Sequence, residues 1–194
     1  GWVNRNNILV KGKKVMFTIA LKQASQNKLF NEIEIGDDFK KLMKTFQMNY
    51  SKAVNYDQTM ALMERIVSFP NRQLAIFIAN SLQEILNYLS IDTEILMSSD
   101  IPKSNLLRGK DKILQLCRTL EANVYYNAIG GRSLYDKEEF AMYGITLNFI
   151  DTVISPYSQL YTEEFISHLS IIDVLMNNTK EEVNHLLDSY LIIH

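Results

Sequence analysis

Apolar and polar positions alternate along the N-terminal stretch, as they do on a strand with one buried face. WVNRNNILV and VMFTIAL read as two strands joined at Lys11-Gly12-Lys13-Lys14, where Gly12 supplies the backbone freedom of a tight hairpin turn. In NEIEI, residues 31–35, Ile33 and Ile35 fall on one face and Glu32 and Glu34 on the other. The period then lengthens. From Asp37, Phe39, Leu42, Met43, Phe46 and Tyr50 recur at helical spacing. Met60, Met63, Ile66 and Val67 make a second helix ending before Pro70. Asn71 is placed to cap a third, with the stripe Leu74, Phe77, Ile78, Leu82, Ile85, Leu86 and Leu89. These stripes predict a helical subregion over about 37–90, its apolar faces forming core.

Beyond residue 92 the pattern becomes strand–helix–strand. TEILMSS reads as a short strand, KDKILQLCRTL as a helix with Ile113, Leu116, Cys117 and Leu120 inward, and NVYYNAI as a strand. A helix over about Lys137 to Met142 and the strand GITLNFID follow. Strands separated by helices of this length predict parallel pairing through right-handed crossovers. SIIDVLMNN is helical, and Thr179 with Glu182 forms a capping box for a last helix with the stripe Val183, Leu186, Leu187 and Tyr190. The expected fold is α/β: a parallel or mixed sheet with an N-terminal β-hairpin and a three-helix insertion, in one domain over residues 1–194.

Composition narrows the function classes. The formal charge of −2 opposes non-specific nucleic-acid binding, and Lys11, Lys13 and Lys14 read as a solvated turn. No apolar run reaches the length of a membrane span, and no export signal precedes the first strand. The single cysteine excludes an internal disulfide and fits a reducing compartment, so the expected location is cytoplasmic. No metal-ligand spacing or cofactor motif occurs, so no cofactor is expected.

Candidate chemistry gathers at the expected strand ends, where open α/β sheets bind ligands. Those ends carry Ser98 and Ser99, then Asn127, Gly130 and Gly131, then Asp151. The glycine pair lets a ligand approach the main chain, and the helix start after it offers donors to phosphate or carboxylate. A turn requiring positive φ accounts for the same glycines. Asn105, Arg108 and Lys110 add polarity and charge in the loop after Ser98-Ser99. Asn4 and Asn6 fall on one strand face and Arg5 and Asn7 on the other, as directional ligand contacts or as a solvated edge strand. Cys117 lies on a buried stripe as inert packing, and His168 is the histidine placed for proton transfer. Asp173, an acid inside LSIIDVL, either caps a neighbour or faces a pocket, and burial would raise its pKa.

GWVNRN at 1–6, LKQASQNKLFNEIEI at 21–35, NAIGGRSLYD at 127–136 and LSIIDVLMNN at 169–178 together resemble the WbqC-like family, in the family's order and over nearly the whole chain. The resemblance implies a place in bacterial lipopolysaccharide and O-antigen biosynthesis, as a group transferase acting on a nucleotide-activated amino sugar. It marks Asn4, Arg5, Asn6, Ser25, Asn27, Asn127, Gly130, Gly131 and Asp173 as motif positions, with Asp173 orienting a hydroxyl or amine and the others holding substrate. It also implies a strand and a Gln-Pro loop ahead of Gly1, whose absence would leave a sheet edge suited to a second copy. Lys112, Ser167 and Ala20 depart from the pattern, standing where Arg, Pro and Pro are expected. The alternative reading is a non-catalytic binding or assembly subunit, favoured by the lack of any nucleophile–base pair.

Overall fold

The computed structural model describes residues 2–25, 27–104 and 106–194. It is a mixed α/β protein with the N-terminal β-hairpin, the run of three helices and the mixed sheet expected from the sequence. Its backbone divides into two compact units, residues 1–95 with 155–186 and residues 96–154 with 187–194.

In the first unit, β1 (Arg5–Val10) and β2 (Lys13–Thr18) form the hairpin, with Val10 opposite Lys13 across the Lys11-Gly12 turn. Both turn residues have positive φ, 51° and 72°, the geometry of a two-residue turn that follows the twist of its strands. Gly12 is required twice over, because a Cβ there would stand 2.1 Å from the Tyr161 carbonyl oxygen. Two short strands, β3 (Leu21–Lys22) and β4 (Glu34–Ile35), pair antiparallel, and Ile33 and Ile35 are buried as their alternation requires.

The helices α1 (Lys40–Tyr50), α2 (Tyr56–Ser68) and α3 (Leu74–Leu89) bury Phe46, Leu62, Ile66, Leu74 and Phe77 with Ile8 of the hairpin. Asn71 does not cap α3: its Oδ1 accepts the Gln73 N–H, and Gln73 holds the cap position. Phe39 and Phe77 stack at 5.6 Å beneath the Arg72 guanidinium, whose Nε donates to Asp37. Two further helices, α6 (Ile171–Asn177) and α7 (Lys180–Leu187), complete this unit. The capping box at α7 is present: Glu182 accepts the Thr179 N–H at 2.7 Å, and Thr179 Oγ1 accepts the Glu182 N–H.

The second unit holds α4 (Gly109–Thr119), β5 (Val124–Ala128), α5 (Lys137–Ala141), β6 (Thr146–Thr152) and β7 (Tyr190–Ile193). β5 and β6 are parallel, and β7 adds antiparallel to β6. Leu114, Cys117, Phe140, Leu147 and Phe149 form its core.

Further expectations need correction. TEILMSS, residues 93–99, has no strand partner and forms no strand; Leu96 is exposed, and an apolar run without a neighbouring ladder has no reason to stay extended. Leu120, assigned to the buried stripe of α4, is exposed, and Leu114 takes its place; Leu82 on α3 and Leu187 on α7, also assigned inward, are exposed as well. Tyr190 leaves the stripe of the last helix because α7 ends at Leu187 and Tyr190–Ile193 pairs with β6, a β-branched and aromatic run satisfied by an available edge.

Candidate functional site

The polar centre of the first unit is built at the start of α6. Ser170 caps the helix, its Oγ accepting the Ile172 N–H, and its own N–H donates to the Asn7 carbonyl of β1. Asp173 then falls in the first turn, where the unpaired amides of a helix start favour a negative charge. Its side chain is completely buried. Oδ2 accepts the Tyr50 hydroxyl at 2.6 Å, Oδ1 accepts the Tyr157 hydroxyl at 2.7 Å, and Asn177 Nδ2 lies 3.3 Å from Oδ1. Tyr50 also accepts the buried Leu9 N–H at 2.9 Å. One carboxylate thereby ties together β1, α1, α6 and the segment holding Tyr157.

Burial is the largest influence on all three groups. It raises the Asp173 carboxyl above its ordinary value, against the lowering effect of the hydroxyls that donate to it. It also raises both tyrosines, and the neighbouring carboxylate adds to the rise, so each phenol keeps its proton. Of the alternatives open for Asp173, the structure favours neither cap nor open pocket. The hydroxyls it orients are the protein's own.

Tyr157 carries this cluster outward. It forms one wall of a concavity of about 540 Å³ made by residues 156–165, with Phe165 edge-on to its ring at 5.2 Å. Ser158, Thr162, Glu163 and Glu164 supply the polar part of the lining. Gln159 holds the loop closed by exchanging two hydrogen bonds with the Ile166 backbone, at 2.8 and 2.9 Å. The hairpin turn lies against the same segment: Gly12 packs on Tyr161, and Lys14 Nζ donates to the Ser167 carbonyl at 3.0 Å. Lys14 is therefore engaged with this loop, while Lys11 and Lys13 are exposed, as expected of a solvated turn.

The remaining motif residues have varied surroundings. Asn4 lies in a short 3-10 turn, and its amide donates to the Ile19 carbonyl at 2.8 Å, closing the open end of the hairpin. Arg5 is exposed opposite Thr18, and Asn6 Oδ1 accepts the Asn7 N–H. Ser25 Oγ accepts the Asn27 N–H, and both residues are exposed. Ser98 and Ser99 do not end a strand, since none forms before them; Lys103 Nζ donates to the Ser98 carbonyl. Lys110 is paired with Glu139 at 2.6 Å, and Asn105 lies outside the described residues.

Asn127, Gly130 and Gly131 do end β5, in the second unit, whereas Asn4, Arg5, Asn6, Ser25, Asn27 and Asp173 belong to the first. The glycines form a 3-10 turn, and neither has positive φ. A Cβ at Gly131 would stand 2.6 Å from Asn127 Nδ2, the end of a side chain that is free to shift, and above Gly130 the space is open. The helix that follows them begins at Lys137, as the sequence predicts, capped by Asp136, with Glu138 and Glu139 in its first turn. Carboxylates already occupy the position proposed for an anion. His168 is exposed with φ of 57°, and Cys117 is buried with its thiol pushed upward by that burial. Among the described residues, no group of histidine, cysteine or acidic side chains has the geometry to hold a metal, and no helix is long and apolar enough to cross a membrane.

Tyr50 and Tyr157 are the members of this cluster that sequence reasoning missed. Tyr50 sits on an apolar stripe and reads as core, yet a buried phenol needs a partner. The lone acid at 173 needed one too.

The molecule is thus a mixed α/β protein whose first unit carries a buried acid–tyrosine cluster behind a loop-built concavity. It matches the WbqC-like protein family over residues 1–185, and the chain belongs to that family. No curated protein and no solved structure matches it.

Proposed function

We propose that the chain is a group transferase of bacterial lipopolysaccharide or O-antigen biosynthesis, and that the concavity of residues 156–165 takes the sugar of a nucleotide-activated amino sugar. The resemblance of its motifs to the WbqC-like family suggests the setting. The observation that carries the substrate class is the lining: two aromatic rings, Tyr157 and Phe165, beside the acceptors Ser158, Thr162, Glu163 and Glu164. Aromatic faces receive the C–H surface of a pyranose, hydroxyls and carboxylates receive its hydroxyls, and the acids favour an ammonium over a phosphate. Asp173 acts as a positioning residue, fixing Tyr157 from behind. Of the glycine corner only Gly130 faces open space, and the reading does not depend on it.

Calorimetric titration with nucleotide sugars tests this. An amino sugar binds, and replacing Glu163→Gln together with Glu164→Gln weakens it roughly tenfold, the loss of about 1.4 kcal/mol expected of one charge-assisted hydrogen bond. A neutral sugar on the same nucleotide is little affected. Failure of every nucleotide sugar to bind, or equal loss for both sugars, refutes the assignment. A second reading, a non-catalytic binding or assembly subunit, is favoured by the enclosure of Asp173, both of whose oxygens are taken by the protein's own hydroxyls. Binding without turnover in the presence of acceptors selects it.

A further inference from the structure

Two apolar spaces in the first unit share a wall. The outer is a groove of about 650 Å³ between β2 and α1, and the inner, of about 170 Å³, lies among α1, α2, α3 and the start of α6. Phe17, Ile19, Phe39 and Leu42 line both, so the partition is one layer of side chains. Exposed residues, among them Val15, Met16 and Thr18, border the groove, whereas among the described residues none that lines the inner space is exposed. The groove is therefore the mouth and the smaller space its inner end. That end offers a ligand no polar partner. Met63, Ile66, Phe77, Ile85 and Ile172 make up much of its surface. Its two hydroxyls are engaged: Ser81 donates to the Ile78 carbonyl, and Ser170 accepts the Ile172 N–H. No buried side-chain nitrogen or oxygen among the described residues lacks a partner. A peptide or sugar entering here would strand its own amides or hydroxyls, and water would lack its usual polar partners. A hydrocarbon strands nothing and adds dispersion contacts with the facing side chains.

We propose that the groove and the inner space form one binding site for an unbranched hydrocarbon chain, its end seated among α1, α2 and α3 and its polar head left at the mouth beside Thr18 and Lys41. A slender chain, unlike a ring system or cage, spans both spaces through a partition that four side chains still occupy. Ile19 and Leu42 are the half-buried aliphatic members of that partition, with space on both sides into which to rotate. At the rim, Asp37 is already held by Lys22 and Arg72, and Asp38 and Lys41 are of opposite sign. The charge of the head is therefore not selected, and the chain carries the affinity. The site shares no lining residue with the concavity of residues 156–165 and stands or falls apart from it.

Calorimetric titration with straight-chain alcohols from butanol to decanol, below their solubility limits, reads the site directly. Affinity should rise about fourfold per added methylene, the conversion of about 0.8 kcal/mol for each one buried. 1-Adamantanol, a cage with decanol's carbon count, should bind roughly tenfold more weakly than decanol. Ser81→Leu fills the inner end from α3 and should weaken decanol roughly tenfold with circular dichroism unchanged. Gln83→Leu, at an exposed position of the same helix, should leave binding as it was. Decanoate and methyl decanoate, run alongside, tell a free fatty acid from an acyl ester as the chain's source, and failure of both overturns the site. Affinity that is flat with chain length, equal binding of cage and chain, or decanol binding that survives Ser81→Leu in a folded protein also overturns it. Light scattering covers the rival occupant: a wild type at twice 22.5 kDa that Met16→Glu renders monomeric gives the groove to a second copy and refutes the proposal.

Discussion

Replacing Tyr50 by phenylalanine removes one oxygen and leaves the ring. That oxygen holds two buried groups: it donates to Asp173 Oδ2 at 2.6 Å and accepts from the Leu9 N–H at 2.9 Å. Hydrogen bonds to a charged group contribute about 1.5–3 kcal/mol, and a buried amide left unpaired costs about 1–3 kcal/mol. Tyr50 is fully buried, so water does not replace the lost hydroxyl without rearrangement. The ring continues to fill its place among the core side chains, and the cavity cost is small. The expected loss is therefore about 3–5 kcal/mol, a large part of the roughly 5–15 kcal/mol by which most domains are stable.

Urea denaturation followed by tyrosine and tryptophan fluorescence measures it, with a lower midpoint and little change in slope. A double-mutant cycle separates the two bonds. In an Asp173→Asn background the carboxylate partner is already altered, so Tyr50→Phe should cost about 1–2 kcal/mol less than in wild type. A cost below about 1 kcal/mol in wild type, or full additivity with Asp173→Asn, would refute the view that this hydroxyl joins β1 to α6.

Other perturbations test separate parts of the structure. Burial raises the Asp173 carboxyl above the ordinary 3.8, so the folded chain binds that proton more tightly than the unfolded chain. Its contribution is then fully present below the unfolded value and is lost as pH rises through the folded one. Wild-type stability relative to Asp173→Asn should fall as pH rises above the ordinary carboxylate range, and a difference that grows with pH would contradict the burial argument. Gly12→Ala meets both a φ of 72° and the Tyr161 carbonyl at 2.1 Å, and should cost roughly 2–4 kcal/mol. Gly144→Ala, at the same φ with nothing within 4 Å, should cost only about 1 kcal/mol in the same thermal denaturation series, and equal losses would show that the contact with Tyr161 is unimportant.

Which features were legible in the sequence follows from the range over which each is determined. The stripes of α1, α2 and α3 and the turn at Gly12 are local periodicities, and apart from the exposed Leu82 they lie where the pattern places them. Residues 93–99 and 190–193 are both short apolar runs, and composition does not separate them. The second is a strand because β6 offers it an edge, and the first is not because none does. Strand identity is a property of the neighbour as much as of the run. The same logic governs the site. Asp173 stands out locally, as an acid among apolar residues, but its meaning is fixed by hydroxyls at positions 50 and 157, one on a core stripe and one in an irregular segment. The glycine pair misleads in the opposite direction: neither glycine has positive φ, and a Cβ at Gly131 would meet only the movable end of the Asn127 side chain, so the turn itself does not call for glycine. A conspicuous residue thus marks where chemistry could lie, while the groups that complete it come from distant, ordinary-looking positions.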